Sequence, residues 1–330
     1  MERSVTSRRP RRICVAGVGA IGGAITGLLM EAGHAVHVVA RGARRAQLAA
    51  TGLAVRSGTR TIHARPLLGE PADLGVQDVL FVAVKAQALP EFLPRLMPMI
   101  GPGTIVVPAV NGLPWWYFQK EGGRFDGSSV ETVDPGGVLM RLLPAGNIAG
   151  CVVYITAQMQ ADGAVDIIGA PRLILGRPDG QRDLVIADLA ATLSDAGIGT
   201  SISTAIRADL WTKMALNLAT NPLSVMSGAT LHALFHRPDL LESVRAVLRE
   251  AEALAGLYGV RPSMSLDAMV ERGRAAGPFE TSMLQDFRRG APLELGAIAD
   301  ALFALADRMG FAMPAARAIV GQARGLATAR

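Results

Sequence analysis

Cysteine and charge are the two things this chain has least of. Two cysteines in 330 residues exclude a disulfide scaffold. Cys14 and Cys151 both lie in strand-like apolar runs, so they read as packed thiols of a reducing compartment, the cytoplasm. Only 18% of residues are charged and half are hydrophobic, which excludes wholesale disorder and allows a large core. The net charge of +5 is concentrated in MERSVTSRRPRR, residues 1–12, with five arginines against one glutamate. That segment reads as a disordered basic leader. Without it the body is near neutral, which argues against a nucleic-acid surface. No internal repeat is visible.

One long apolar run is present. Residues 13–30, ICVAGVGAIGGAITGLLM, carry no charge and follow paired arginines. The length invites a membrane span and the arginines an export signal. Five of these residues are glycine, at spacings that fit a phosphate loop instead, so neither membrane insertion nor export is expected. A metal is not expected either. His232 and His236 have a zinc-ligand spacing on a helix, but Ala233 stands where glutamate would be needed and no third ligand is apparent. Asp134 in ETVDPGG reads as a turn residue.

From residue 13 short apolar runs alternate with helical stretches. ICVAGV, AVHVVA (35–40), DVLFVAVKA (78–86) and GTIVVPAV (103–110) read as buried strands. A helix follows the first and is stopped by Gly33. This alternation implies parallel pairing in a doubly wound sheet. Residues 150–157, 164–168 and 172–176 read as shorter strands extending it, with a helix near 181–196 and a strand near 198–203. After residue 204 the β-branched runs fade and helical periodicity continues to a frayed end at GQARGLATAR. The expected fold is α/β: an N-terminal Rossmann-type doubly wound sheet over 13–204, then an all-α C-terminal domain over 205–330.

Gly17, Gly19 and Gly22 form G-x-G-x-x-G between a strand and a helix. The first suits a tight turn, the second close approach of backbone to a pyrophosphate, and the third close helix–strand packing. Residues 17–22 (Gly17, Val18, Gly19, Ala20, Ile21, Gly22) then present helix N–H groups to phosphate. The second strand ends in VVARGARR, with Arg41 where an NAD-specific site has a carboxylate. A guanidinium can bind a 2′-phosphate bidentately, so NADP(H) is the cofactor expected. Arg44 and Arg45 could equally decorate a helix start.

WTKMALNLATNP (211–222) sets Lys213, Asn217 and Asn221 at i, i+4, i+8, one stripe of a helix drifting about 40° per step. A solvated face or a substrate-facing wall would both give it. These segments, with GVGAIGG, VARG, VAVKAQ, VNGLP and TSMLQDFRRGAPLELGAI, come in an order that resembles the ketopantoate reductases (2-dehydropantoate 2-reductases) from about residue 13 to 310. The resemblance implies NADPH-dependent reduction of ketopantoate to pantoate in a cleft between the two domains. By it, Lys213 is the proton donor, Asn217, Asn221 and Ser282 meet substrate, and Lys85 and Asn111 line the nicotinamide half, where Asn111 also reaches substrate. Glu294 is a catalytic acid beside cofactor and substrate. The chemistry agrees: an ammonium can stabilise and protonate the oxygen of a ketone receiving hydride, and carboxamides add donors without charge.

Structural roles compete for some of these residues. Ser282 could be a helix N-cap, and Glu294 a first-turn dipole partner or the countercharge of Lys213. Leu113-Pro114-Trp115-Trp116-Tyr117-Phe118 departs from the small residues usual in the family. It could pack under the sheet edge or reshape the pocket for another 2-oxo acid. Rival functions are such a sibling reductase and a non-catalytic NADPH sensor. The partners expected are a small 2-oxo acid and, as an option for assembly, a second copy in a homodimer.

Overall fold

The computed structural model describes residues 11–329; residues 1–10, most of the basic leader, lie outside the described residues. Its last two residues are tied down. Arg11 pairs with Asp188, and Arg12 donates its backbone N–H to Asp78 at 2.7 Å and its guanidinium to the Leu74 carbonyl.

Ten strands are present among the described residues: β1 Ile13–Ala16, β2 Val36–Val39, β3 Leu53–Ser57, β4 Arg60–Ala64, β5 Leu67–Leu68, β6 Val79–Val82, β7 Ile105–Pro108, β8 Gly150–Met159, β9 Val165–Gly176 and β10 Gly199–Ile202. Five of them form a wholly parallel sheet in the order β5-β2-β1-β6-β7. This is the Rossmann-like topology the alternating pattern predicts. Its strands are apolar on both faces because both faces are covered. Ile13, Val15, Val79, Phe81, Ile105 and Val107 point into one core, while Cys14, Ala16, Leu80, Val82 and Val106 point into the other. The period of two divides each strand between the two cores.

The expected extension of this sheet is a second sheet instead. β9 is one strand where the sequence suggested two. It pairs antiparallel with β8 and parallel with β3 and β10, and β4 closes the edge on β3. The helix Ala20–Glu31 is sandwiched between the sheets. A Cβ on Gly23 would lie 2.8 Å from a Val165 methyl, and one on Gly27 2.4 Å from a Val55 methyl. Glycines in the apolar run therefore serve close packing as well as the loop. Strands β3 to β5 were not foreseen, since each is short and half of β4 faces solvent.

From Ile206 onward, all regular structure is helical. Helix Ile206–Ser227 runs through the centre, containing Pro222 and ending at Gly228 in the left-handed region. Expected fraying at the C-terminus does not occur before Thr328, because Ala316, Ile319, Val320 and Ala323 of Pro314–Thr328 are buried. The second core joins this half to the parallel sheet without a break. Trp115, Trp116, Tyr117 and Phe118 are buried in it beside Trp211, with the Trp211 indole donating to the Tyr117 hydroxyl at 2.6 Å. The aromatic run is thus core that glues the two halves together. Both cysteines are packed thiols, pushed up to about 12 by burial. No helix among the described residues is long and apolar enough to cross a membrane.

Candidate active site

The ends of β1, β6 and β7 share one edge of the parallel sheet, where open α/β sheets bind ligands. Three candidate segments leave that edge: the glycine turn after β1, Lys85 after β6 and Asn111 after β7. Gly17 has φ +94° and donates to the Val39 carbonyl at 2.9 Å. A Cβ there would lie 2.6 Å from the Ala83 oxygen, and one on Gly22 1.9 Å from the Gly17 oxygen. A Cβ on Gly19 would meet no atom within 4 Å outside its chain neighbours and its own helix. Closed at its first and third glycines and open at the second, the turn is a cradle with room for a phosphate. No side chain caps the helix that follows, and its first turn carries no acid. Its N–H groups are left for an anion.

Arg41 caps the next helix, Gly42–Thr51, in extended backbone, and its guanidinium stacks 5.0 Å from the Phe92 ring centre. No acid pairs with it among the described residues. Arg44 is committed elsewhere. It donates to the carbonyls of Val18 and Gly163, both at 2.7 Å, and so braces the glycine turn from behind. Arg45 pairs with Glu70 at 3.1 Å.

The helical half meets this edge at two points. The Lys85 ammonium pairs with Asp286, a buried carboxylate that also accepts from Arg289 at 2.8 Å. One residue on, the Ala86 N–H donates to Glu294 at 3.2 Å. Burial pushes the Glu294 carboxyl up, against the pull of Lys85 and the Ala86 N–H, with Asp286 adding to the rise. After Asn111, Gly112 (φ +88°) and Leu113 dock on the π-helical turn Gly296–Asp300. The Leu113 N–H donates to the Ala297 carbonyl at 2.9 Å, and a Cβ on Gly112 would lie 2.5 Å from that oxygen. π turns recur where helices are bent to functional ends. Asn111 itself keeps a side-chain amide with no protein partner among the described residues.

On helix Ile206–Ser227 the predicted stripe is inward. Asn217 and Asn221 are 8% and 5% exposed, and neither amide has a hydrogen-bond partner among the described residues. Two amides in line without a protein partner leave donors and acceptors free for a ligand. Lys213 is half-buried, with its ammonium 4.8 Å from the Tyr154 ring centre. Burial, and secondarily the charge of Arg272, lower its pKa from 10.5 to about 8. Glu294 is not its countercharge: that carboxylate accepts from Ala86 and feels the charge of Lys85, and it does not act on Lys213. Ser282 is not an N-cap either. Thr281 caps the helix Ser282–Arg288 by accepting from the Leu284 N–H at 3.2 Å and bonds Ser224 at 2.5 Å, leaving the Ser282 hydroxyl exposed and unused. Asp134 caps the following helix at Leu139 and Met140. His232 and His236 stack on one another, and no group of three or more potential ligands for a metal occurs among the described residues.

Asp286, Tyr154 and Arg272 were missed by sequence reasoning. Asp286 had one legible signal, an acid inside the apolar pattern of MLQDF. Tyr154 and Arg272 had none, since strand and helix meet only in three dimensions.

A glycine cradle at the head of a Rossmann-like sheet, an arginine beyond the second strand with no acid partner among the described residues, and a desolvated lysine in the helical half point to a nicotinamide-linked oxidoreductase. Comparison with known proteins is specific. The family profiles "Ketopantoate reductase PanE/ApbA" and "Ketopantoate reductase PanE/ApbA C terminal" match residues 13–116 and 205–327. The chain is 33% identical to the 2-dehydropantoate 2-reductase of Mesorhizobium japonicum, covering 97% of this chain and 98% of the relative. It is similar to a solved structure from Ralstonia solanacearum MolK2, with a TM-score of 0.90 at 36% identity over 98% and 99% of the two chains. The 2-dehydropantoate 2-reductase of Geobacter metallireducens GS-15 gives a TM-score of 0.81 at 25% identity, over 95% and 99%. The chain belongs to the PanE/ApbA ketopantoate reductase family, whose members are NAD(P)H-dependent reductases.

Proposed function

We propose that this chain reduces ketopantoate to pantoate with NADPH, and that Lys213 donates the proton. Bound NADPH supplies the hydride. The turn Gly17–Gly22 holds the pyrophosphate, and Arg41, free of any acid, takes the 2′-phosphate. Lys85 and Asn111 leave adjacent strands and line the nicotinamide half. Lys213 neutralises and then protonates the ketone oxygen as charge develops there. Asn217, Asn221 and Ser282 orient substrate through donors that have no protein partner among the described residues. Glu294, fixed by the Ala86 N–H and tilted toward its neutral form by burial, stands beside both ligands.

The observation that carries this reading is the Lys213 stripe: a desolvated ammonium in line with two largely buried asparagines whose amides have no protein partner among the described residues. A solvated helix face would have neither property. The test is loss of nicotinamide absorbance with ketopantoate and a panel of other 2-oxo acids, comparing the unmodified chain with Lys213→Ala. The variant is expected to lose at least about a hundredfold in kcat while still binding NADPH. Equal rates in the two proteins remove Lys213 from the reaction. A stronger response to another acid in the panel reassigns the substrate.

A further inference from the structure

Three cationic groups converge on one tyrosine ring, and none of them makes an ion pair among the described residues. The Tyr154 ring centre lies 4.2 Å from the Arg272 guanidinium carbon, 4.8 Å from the Lys213 ammonium and 5.7 Å from the Arg172 guanidinium carbon. They come from three different elements: helix Leu266–Arg274, helix Ile206–Ser227 and strand β9. Tyr154 stands opposite Arg172 across the β8–β9 ladder, at the register shift between Tyr154 and Thr156 that re-aims its side chain.

Neither arginine has an ion pair or hydrogen bond among the described residues. The acids nearby are engaged elsewhere. Glu271, the neighbour of Arg272 in sequence, pairs with Arg274 at 3.1 Å. Asp209, one turn before Lys213, accepts from the Ser203 hydroxyl at 2.6 Å; its charge is felt at the Tyr154 ring, but it pairs with none of the three cations. Arg272 is only partly exposed, so water does not fully screen the cluster. Like charges gathered around one ring oppose folding unless an anion joins them, and a planar guanidinium seated on an aromatic face presents its fork to a carboxylate.

We propose that Arg272, oriented by the Tyr154 ring beside Lys213, receives the carboxylate of the 2-oxo acid while Lys213 takes the ketone oxygen, with Arg172 adding positive potential from the strand side. The proposal rests on the reading of the site as a 2-oxo acid reductase and adds a residue that selects acids over neutral ketones. Ketone and carboxylate are adjacent in a 2-oxo acid, and Lys213 and Arg272 are neighbours at one ring, 4.8 and 4.2 Å from its centre. Arg272 also faces Lys213 as a like charge, which favours loss of the lysine proton.

The experiment compares ketopantoate with its methyl ester, a neutral ketone, in the unmodified chain and in Arg272→Gln, Arg272→Lys and Arg172→Gln, with NADPH affinity measured by fluorescence. Arg272→Gln is expected to raise KM for the acid about tenfold or more, to leave KM for the ester and NADPH affinity unchanged, and to move the alkaline limb of the pH profile upward. Arg272→Lys recovers part of the loss, and Arg172→Gln has a smaller effect in the same direction. An acid KM that does not change in Arg272→Gln, or acid and ester KM rising together, overturns the assignment while leaving the reductase intact. If the unmodified chain reduces no 2-oxo acid, the proposed function fails and this inference falls with it.

Discussion

Lys213, the proposed proton donor, is costly to the fold. Its ammonium is desolvated and faces Arg272, and both effects favour the neutral amine, with a pKa of about 8. A general acid must be protonated, so ketone reduction is expected to fall about tenfold per pH unit above about 8, and oxidation of the hydroxy acid to rise through the same range. Initial rates in both directions across pH 6–10 would check this, and a flat profile would contradict it. The sign for stability is opposite to that of a salt-bridged lysine. Between about 8 and the ordinary 10.5 the unfolded chain holds more protons than the folded one, so the lysine's penalty is present in full below about 8 and is relieved as pH rises. Lys213→Met should therefore melt at a higher temperature at pH 7 while losing turnover. Arg41 makes the second residue-level prediction. Arg41→Asp should weaken NADPH at least about tenfold more than NADH, since only the former carries the 2′-phosphate a carboxylate repels; equal losses in KM would remove the assignment.

Among the elements, the two glycine turns set what the sheet edge can do. The G-x-G-x-x-G turn was legible because its demand is local: a strand, three glycines and a helix within ten residues. Gly112 was not legible as a docking point. Its constraint is the Ala297 carbonyl, 185 residues away in sequence, brought close by the π turn Gly296–Asp300. Gly112→Ala combines a left-handed backbone with a Cβ 2.5 Å from that oxygen, so a loss of about 1–3 kcal/mol is expected in chemical denaturation, with weaker substrate binding because Asn111 shifts with the loop. Unchanged stability would mean the seam gives way easily. The stripe on helix Ile206–Ser227 was legible as a pattern. Its direction was not, because periodicity reports which residues share a face and leaves open what that face meets.

Over the whole molecule the two halves are one packed body. The buried run Trp115–Phe118 enters the core beneath the helical half, and the Tyr117 hydroxyl accepts from Trp211 across the seam. Tyr117→Phe orphans that buried indole N–H and should cost about 1–3 kcal/mol with little change in NADPH affinity, read by denaturant unfolding and cofactor titration side by side. A matching loss of cofactor affinity would mean that the aromatic run shapes the pocket after all. Near the sheet edge the Lys85–Asp286 pair and the Ala86–Glu294 contact hold the halves together from above. Alternation of strand and helix, the glycine cradle and the change to helix near residue 205 were all determined by the sequence, because each is a matter of neighbours within a few turns. Tertiary structure alone decided that Glu294 serves Lys85 and Ala86 rather than Lys213, that the second sheet stands apart from the first, and that Tyr154 gathers three cations. Those outcomes depend on which distant surfaces bury each other, and a chain's local propensities do not carry that information.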